Sequence, residues 1–109
     1  MYKFISMLAL LFATQSNIAY AGEQSGKVLN LIVRSSDGMI YFEMENKATG
    51  KPACATHSYW IIADEKSTTG KQQMAMLLAA RVSGQVISVY GTNTCTRWSD
   101  GEDVSGIIF

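Results

Sequence analysis

The 109-residue chain contains one proline, one histidine and two cysteines, and its nine basic side chains are balanced by nine acidic ones. Each scarcity excludes something. Balanced charge with no run of Lys or Arg removes the electrostatic footprint of a nucleic-acid binder. One histidine is too few for a zinc site built with two cysteines. No nucleophile elbow, phosphate-cradling glycine loop or paired carboxylates at catalytic spacing occur, so neither an enzyme nor a cofactor is expected. Asp100-Gly101-Glu102-Asp103 lacks the alternating ligands of a calcium loop and reads as a solvated turn. With 48% hydrophobic residues and only 17% charged, the chain carries enough apolar surface to fold, and its length suits one small domain.

A long hydrophobic run is also missing. Lys3 precedes the apolar stretch Phe4 to Ala13, which falls short of the roughly 20 residues of a membrane-spanning helix, and the segment ends in Ala19-Tyr20-Ala21. This is the pattern of a secretory signal peptide over residues 1–21. Cleavage after Ala21 leaves residues 22–109 as one exported domain, secreted or periplasmic in the Gram-negative manner, with no membrane span. Losing Lys3 leaves eight basic groups against nine acidic ones, so the exported part stays nearly neutral. A terminal phenylalanine suits an outer-membrane barrel, but the chain is too short for eight strands of about 9 to 11 residues with their loops. In an oxidising compartment Cys54 and Cys95 read most simply as a disulfide, which stabilises a domain of this size by about 4 kcal/mol on the chain-entropy model. The competing reading, a thiol nucleophile, would need His57 as its partner, and only proximity in sequence recommends that.

Along the exported part, Gly22 to Gly26 reads as a loose start. Leu29, Leu31 and Val33 form an apolar face and Val28, Asn30 and Ile32 a mixed one, predicting a first strand over Lys27 to Arg34. Asp37-Gly38 is a hairpin turn signal. Met39 to Glu45 predicts a second strand with Ile40, Phe42 and Met44 inward, and Ala53 to Ala63 a long, bent third. The period then changes. Thr69 to Gln72 has capping-box spacing, Met74, Leu77, Leu78 and Val82 form a helical stripe, and Gly84 supplies the stop, predicting a helix over Gly70 to Ser83. Met74 and Met76 read as gap-filling core residues rather than a soft-metal site. Strands over Gln85 to Tyr90 and Val104 to Phe109 complete the order β-β-β-α-β-β. That is the order of a five-stranded Greek-key barrel of the OB type, mainly β with one helix plugging the barrel end.

Several residues carry a family resemblance over Ser25 to Cys95. They are Gly50-Lys51-Pro52-Ala53-Cys54-Ala55, Trp60 six residues beyond that cysteine, Ala80-Arg81 at the end of the helix, Ser83 to Tyr90, and Cys95. The pattern resembles the B subunits of pertussis-like toxins, the subtilase cytotoxin type among them. With Gly91-Thr92, Thr94-Cys95 and Trp98 it is also similar to small exported bacterial proteins related to those subunits. The resemblance implies an OB fold, a ring of five subunits, and binding of sialylated glycans in a shallow pocket on the barrel side, to which Ser25 contributes. The chain departs from the family in its short segment before the first strand and in lacking a second cysteine pair near its carboxy terminus.

From the residues themselves, Tyr41, Tyr59, Tyr90 and Trp98 are candidates for stacking on a sugar ring. Trp98, beside Arg97 and the acidic turn, also suits a simple cover over the barrel end. His57 reads as a surface or hydrogen-bonded histidine. The expected function is an exported non-enzymatic binding module for host or envelope glycans. The alternative is a periplasmic protein-interaction or inhibitor protein with no sugar binding. Partners on these readings are a glycan, copies of the same chain in a ring, or another protein.

Overall fold

Alternating sequence becomes sheet here wherever backbone groups find a neighbouring strand. In a computed structural model, which describes residues 21–109, the elements are β1 (Glu23–Gly26), β2 (Val28–Val33), β3 (Ile40–Met44), β4 (Trp60–Ile61), α1 (Thr68–Ser83), β5 (Ile87–Gly91) and β6 (Glu102–Ile108). The expected export signal falls on residues 1–21, of which all but Ala21 lie outside the described residues. The described residues are mainly β with one helix and one disulfide, Cys54–Cys95. Among the described residues no helix is long and apolar enough to cross a membrane.

The sheet has six strands rather than the expected five, in the order β1-β5-β6-β4-β3-β2. The sixth is β1, in the segment read as a loose start; Glu23 to Gly26 pairs antiparallel with Tyr90 to Ile87. Every pairing is antiparallel except β4 with β6. The two outermost strands, β1 and β2, are consecutive and separated only by Lys27. One stretch of chain therefore passes from one edge of the sheet to the other. Side chains reinforce the crossing: Gln24 Nε2 donates to the Glu45 and Asn46 carbonyls at 3.0 and 3.1 Å, and Asn46 Nδ2 donates to the Ser25 carbonyl at 2.8 Å.

Local chemistry explains where the boundaries differ from the sequence pattern. Ala53 to Tyr59 is turn and irregular chain rather than strand: Ala55 N bonds the Pro52 carbonyl and Thr56 N the Cys54 carbonyl, while His57 N bonds the Asp100 carbonyl of a distant loop. In β2 a register irregularity between Val28 and Asn30 disturbs the alternation, so that only Val28 is buried and Leu29, Ile32 and Val33 are exposed. Of the fully apolar face expected for this strand, Leu29 and Val33 are exposed and only Leu31, half-buried, packs against the core. In β3 the inward residues are Ile40, Phe42 and Met44, as the alternation predicts.

The helix begins earlier than Gly70. Its N-cap is Ser67, whose hydroxyl accepts from Gly70 N at 2.9 Å, and not Thr69. Gly70 packs so closely on the preceding loop that a Cβ would stand 1.9 Å from the Asp64 carbonyl oxygen. Gly84 closes the helix in the left-handed conformation, φ 68°, with its N–H on the Ala80 carbonyl. The buried face is Gly70, Gln73, Leu77 and Ala80, so Leu78 and Val82 from the predicted stripe point outward. The core gathers Val28, Ile40, Phe42, Met44, Trp60, Ile62, Leu77, Ile87, Val89 and Val104 between the sheet and α1.

Candidate functional site

Strand alternation in β1 and β5 turns Glu23 and Ser25, with Ser88 and Tyr90, outward on the same paired surface. In the register Ser25 faces Ser88 and Glu23 faces Tyr90. The two serine hydroxyls lie 2.7 Å apart, an exposed hydrogen-bonded pair. The Glu23 backbone also exchanges both hydrogen bonds with Thr49, each 2.9 Å, which brings the Asn46 to Gly50 turn against the strand. The result is a groove of about 290 Å³ lined by Glu23, Gln24, Ser25, Lys47, Thr49, Ser88 and Tyr90. Gln24 fixes its floor, since its Oε1 accepts from Trp60 Nε1 at 2.8 Å while its amide nitrogen binds the end of β3. Among the described residues no carboxylate pairs with Lys47, so its ammonium is available to an incoming group. A wider cleft of about 430 Å³ adjoins the groove, sharing Gln24 and Lys47 and reaching Lys51, Thr56 and His57.

The sequence-predicted residues divide between two places. Ser25 and Tyr90 share the groove. Tyr41, Tyr59 and Trp98 belong to a separate corner with Arg34. The Tyr41 and Tyr59 rings are 5.4 Å apart, His57 stacks on Tyr59 at 5.3 Å, and the Arg34 guanidinium sits 4.1 Å above the Trp98 ring. These rings are already occupied. Tyr59 donates to Asp100, and its phenol is pushed up to about 12, first by burial and then by that hydrogen bond. His57 Nε2 lies 3.5 Å from the same carboxylate. Arg97 binds Glu65 at 2.8 Å and Asp37 at 3.3 Å. The hydrogen bond from Arg34 holds the Asp37 carboxyl well below the usual carboxylate range. These contacts hold loops together, and the Trp98 ring, 40% exposed, lies under the Arg34 guanidinium.

The acidic turn corrects the sequence reading. Only Asp100 belongs to a turn; Glu102 and Asp103 begin β6 and are 0% and 1% exposed. Asp103 organises the loop that carries Cys95, accepting from Thr96 N at 2.8 Å, from Arg97 N at 3.2 Å and from the Thr94 and Thr96 hydroxyls. The described residues contain no cluster of His, Cys, Asp and Glu able to hold a metal ion.

No protein-family model, curated protein or solved structure matches this chain. Lys47, Thr49 and Ser88 were not among the candidates read from the sequence. Ser88 shares an alternating face with Tyr90 and was legible in principle, whereas Lys47 and Thr49 reach the groove only through the long-range bridge to Glu23.

Proposed function

We propose that the protein is an exported glycan-binding module whose sugar site is the groove of Ser25, Ser88, Tyr90, Lys47 and Thr49. The observation that carries this reading is the convergence of paired hydroxyls, an uncommitted ammonium and a 40% exposed tyrosine ring on one shallow, rigidly floored surface. Sugars are recognised by that combination, in which hydroxyls exchange hydrogen bonds and a ring covers the C–H face. Lys47 favours an acidic sugar such as a sialic acid, and Glu23 offers an acceptor for sugar hydroxyls. The neighbouring cleft gives a longer glycan somewhere to continue.

The sheet order supports an OB-type barrel as the scaffold, with β1 and β2 as the two halves of one strand interrupted at Lys27. On that reading the groove lies on the side of the barrel, where the resemblance to toxin B subunits puts sialoglycan recognition.

Titration of sialyl oligosaccharides into the disulfide-bonded domain, followed by NMR shifts, tests the proposal. Binding at Ser25, Ser88 and Tyr90 resonances is expected, with Ser25→Ala weakening it about tenfold, the worth of one good hydrogen bond. Lys47→Gln should weaken sialylated ligands and leave neutral ones unchanged. Absence of any shift at millimolar sugar would remove the reading.

A protein-interaction role is favoured by one separate feature. Between β2 and α1 lies an open apolar surface where Leu29, Ile32 and Leu78 are 48%, 36% and 47% exposed, which is where a partner protein or a second copy would gain most. The mass of the native protein in solution decides between a ring of copies and a single chain.

A further inference from the structure

Glu102 is fully buried at the start of β6, beside Trp60 of β4. One carboxylate oxygen, Oε2, accepts from Gly22 N at 3.1 Å and from Asn93 N at 2.9 Å. The other, Oε1, has no partner among the described residues. No cation among them is in ion-pair contact either. The nearest candidate, Lys51, stands over the Trp60 ring at 4.1 Å and gives its protons to the Tyr59 and Ser58 carbonyls. Lys51 feels the Glu102 charge without pairing with it, so the buried carboxylate keeps an orphaned oxygen and no cation in contact, a costly arrangement that a closer positive group would relieve.

The backbone nitrogen already on Glu102 belongs to Gly22, the residue that follows Ala19-Tyr20-Ala21. Ala21 is exposed and Gly22 is buried. Gly22 is held at its other end as well, because its carbonyl accepts from Gly91 N at 2.9 Å. A side chain is excluded at both glycines: a Cβ on Gly22 would stand 2.3 Å from Glu102 Oε1, and one on Gly91 1.8 Å from Oε2. The space around this carboxylate admits glycine backbone and no side chain at either position.

We propose that Gly22 is the amino terminus of the exported protein and that its α-ammonium docks on the buried carboxylate of Glu102. Hydrolysis of the Ala21–Gly22 amide consumes one water, releases the leader with a new carboxylate, and leaves an amine on Gly22 that takes up a proton. The ammonium has three N–H donors where the amide had one. One keeps the bond to Oε2, a second reaches the orphaned Oε1, and the positive charge neutralises the burial. Leader removal thus completes the core electrostatically, and the uncleaved chain folds to a less stable state. This inference does not depend on the glycan reading.

Disulfide-bonded chains beginning at Gly22, beginning at Ala21, and beginning at Gly22 with an acetylated α-amine provide the test. The free Gly22 chain is expected to melt higher than both others by at least about 4 to 8 °C, the shift that 1 kcal/mol produces in a domain of this size. Glu102→Gln should erase the difference among the three. Should that variant not fold, a second measurement stands on the native sequence: cyanate should modify the Gly22 amine many-fold more slowly in the folded protein than in the denatured one. The mass of protein recovered after export should correspond to a start at Gly22. Equal melting of the free and acetylated chains, equal labelling rates, or a start at another residue would each overturn the proposal.

Discussion

Tyr59 is the side chain whose surroundings most constrain its chemistry. Burial and the bond to Asp100 both favour the neutral phenol, so its ionisation is pushed up to about 12. The sign follows directly. A pKa raised in the folded state contributes stability that is present in full below the unfolded value of about 10 and is lost as pH rises towards the folded value. Stability should therefore fall between about pH 10 and about pH 12. Tyr59→Phe should flatten that fall and remove the last phenolate transition seen by ultraviolet absorbance. A titration in which Tyr59→Phe leaves the final transition in place would contradict the assignment. Little of this was visible in sequence, where Tyr59 reads as one of four stacking aromatics. Its partners come from distant loops, and no local spacing announces Asp100 as an acceptor. The same blindness affects Glu102 and Asp103. Three acidic residues around a glycine suggest solvent, yet Asp103 is buried because four donors of the Thr94 to Arg97 loop converge on it.

At the scale of elements, period and turn chemistry carried most of the fold. The inward face of β3, the Asp37-Gly38 reversal, the stop at Gly84 and the strand after it are all legible, because each depends on residues adjacent in the chain. What escaped was decided by pairing across the chain. Glu23 to Gly26 is a strand because β5 stands beside it, and Ala53 to Tyr59 is not one because the turn around Cys54 takes the Ala55 and Thr56 amides and the Asp100 carbonyl takes that of His57. The helix start shows how close the two levels come. Ser67 and Thr69 are both plausible caps by residue type, and the structure selects Ser67, whose hydroxyl also donates to the Asp64 carbonyl at 2.7 Å. Ser67→Ala should cost about 1 kcal/mol in chemical denaturation, and Thr69→Ala, an exposed position within the first turn, only a few tenths. The reverse ranking would restore the sequence-based cap.

For the molecule as a whole, the disulfide joins parts that the sheet alone leaves apart. Cys54 lies in the turn-rich stretch before β4 and Cys95 in the connection between β5 and β6, and the bond spans 41 residues of sequence. Both sides are long connections, and a cross-link of that span removes about 4 kcal/mol of freedom from the unfolded chain. Total stabilities of domains this small lie near 5 to 15 kcal/mol, so the loss is a large share of what holds the fold. The paired variant Cys54→Ser with Cys95→Ser should melt roughly 20 °C lower than the native protein, from about 5 °C per kcal/mol. The Cys95 side should nevertheless keep its shape at low temperature, because Asp103 pins Thr94, Thr96 and Arg97 without the sulfurs. On the proposed glycan reading, sugar binding in the groove should survive too, since Ser25, Ser88 and Tyr90 are set by the β1–β5 ladder and neither cysteine lines it. Loss of sugar binding below the variant's melting temperature would mean that the disulfide shapes the site, and that groove and cross-link form a single unit.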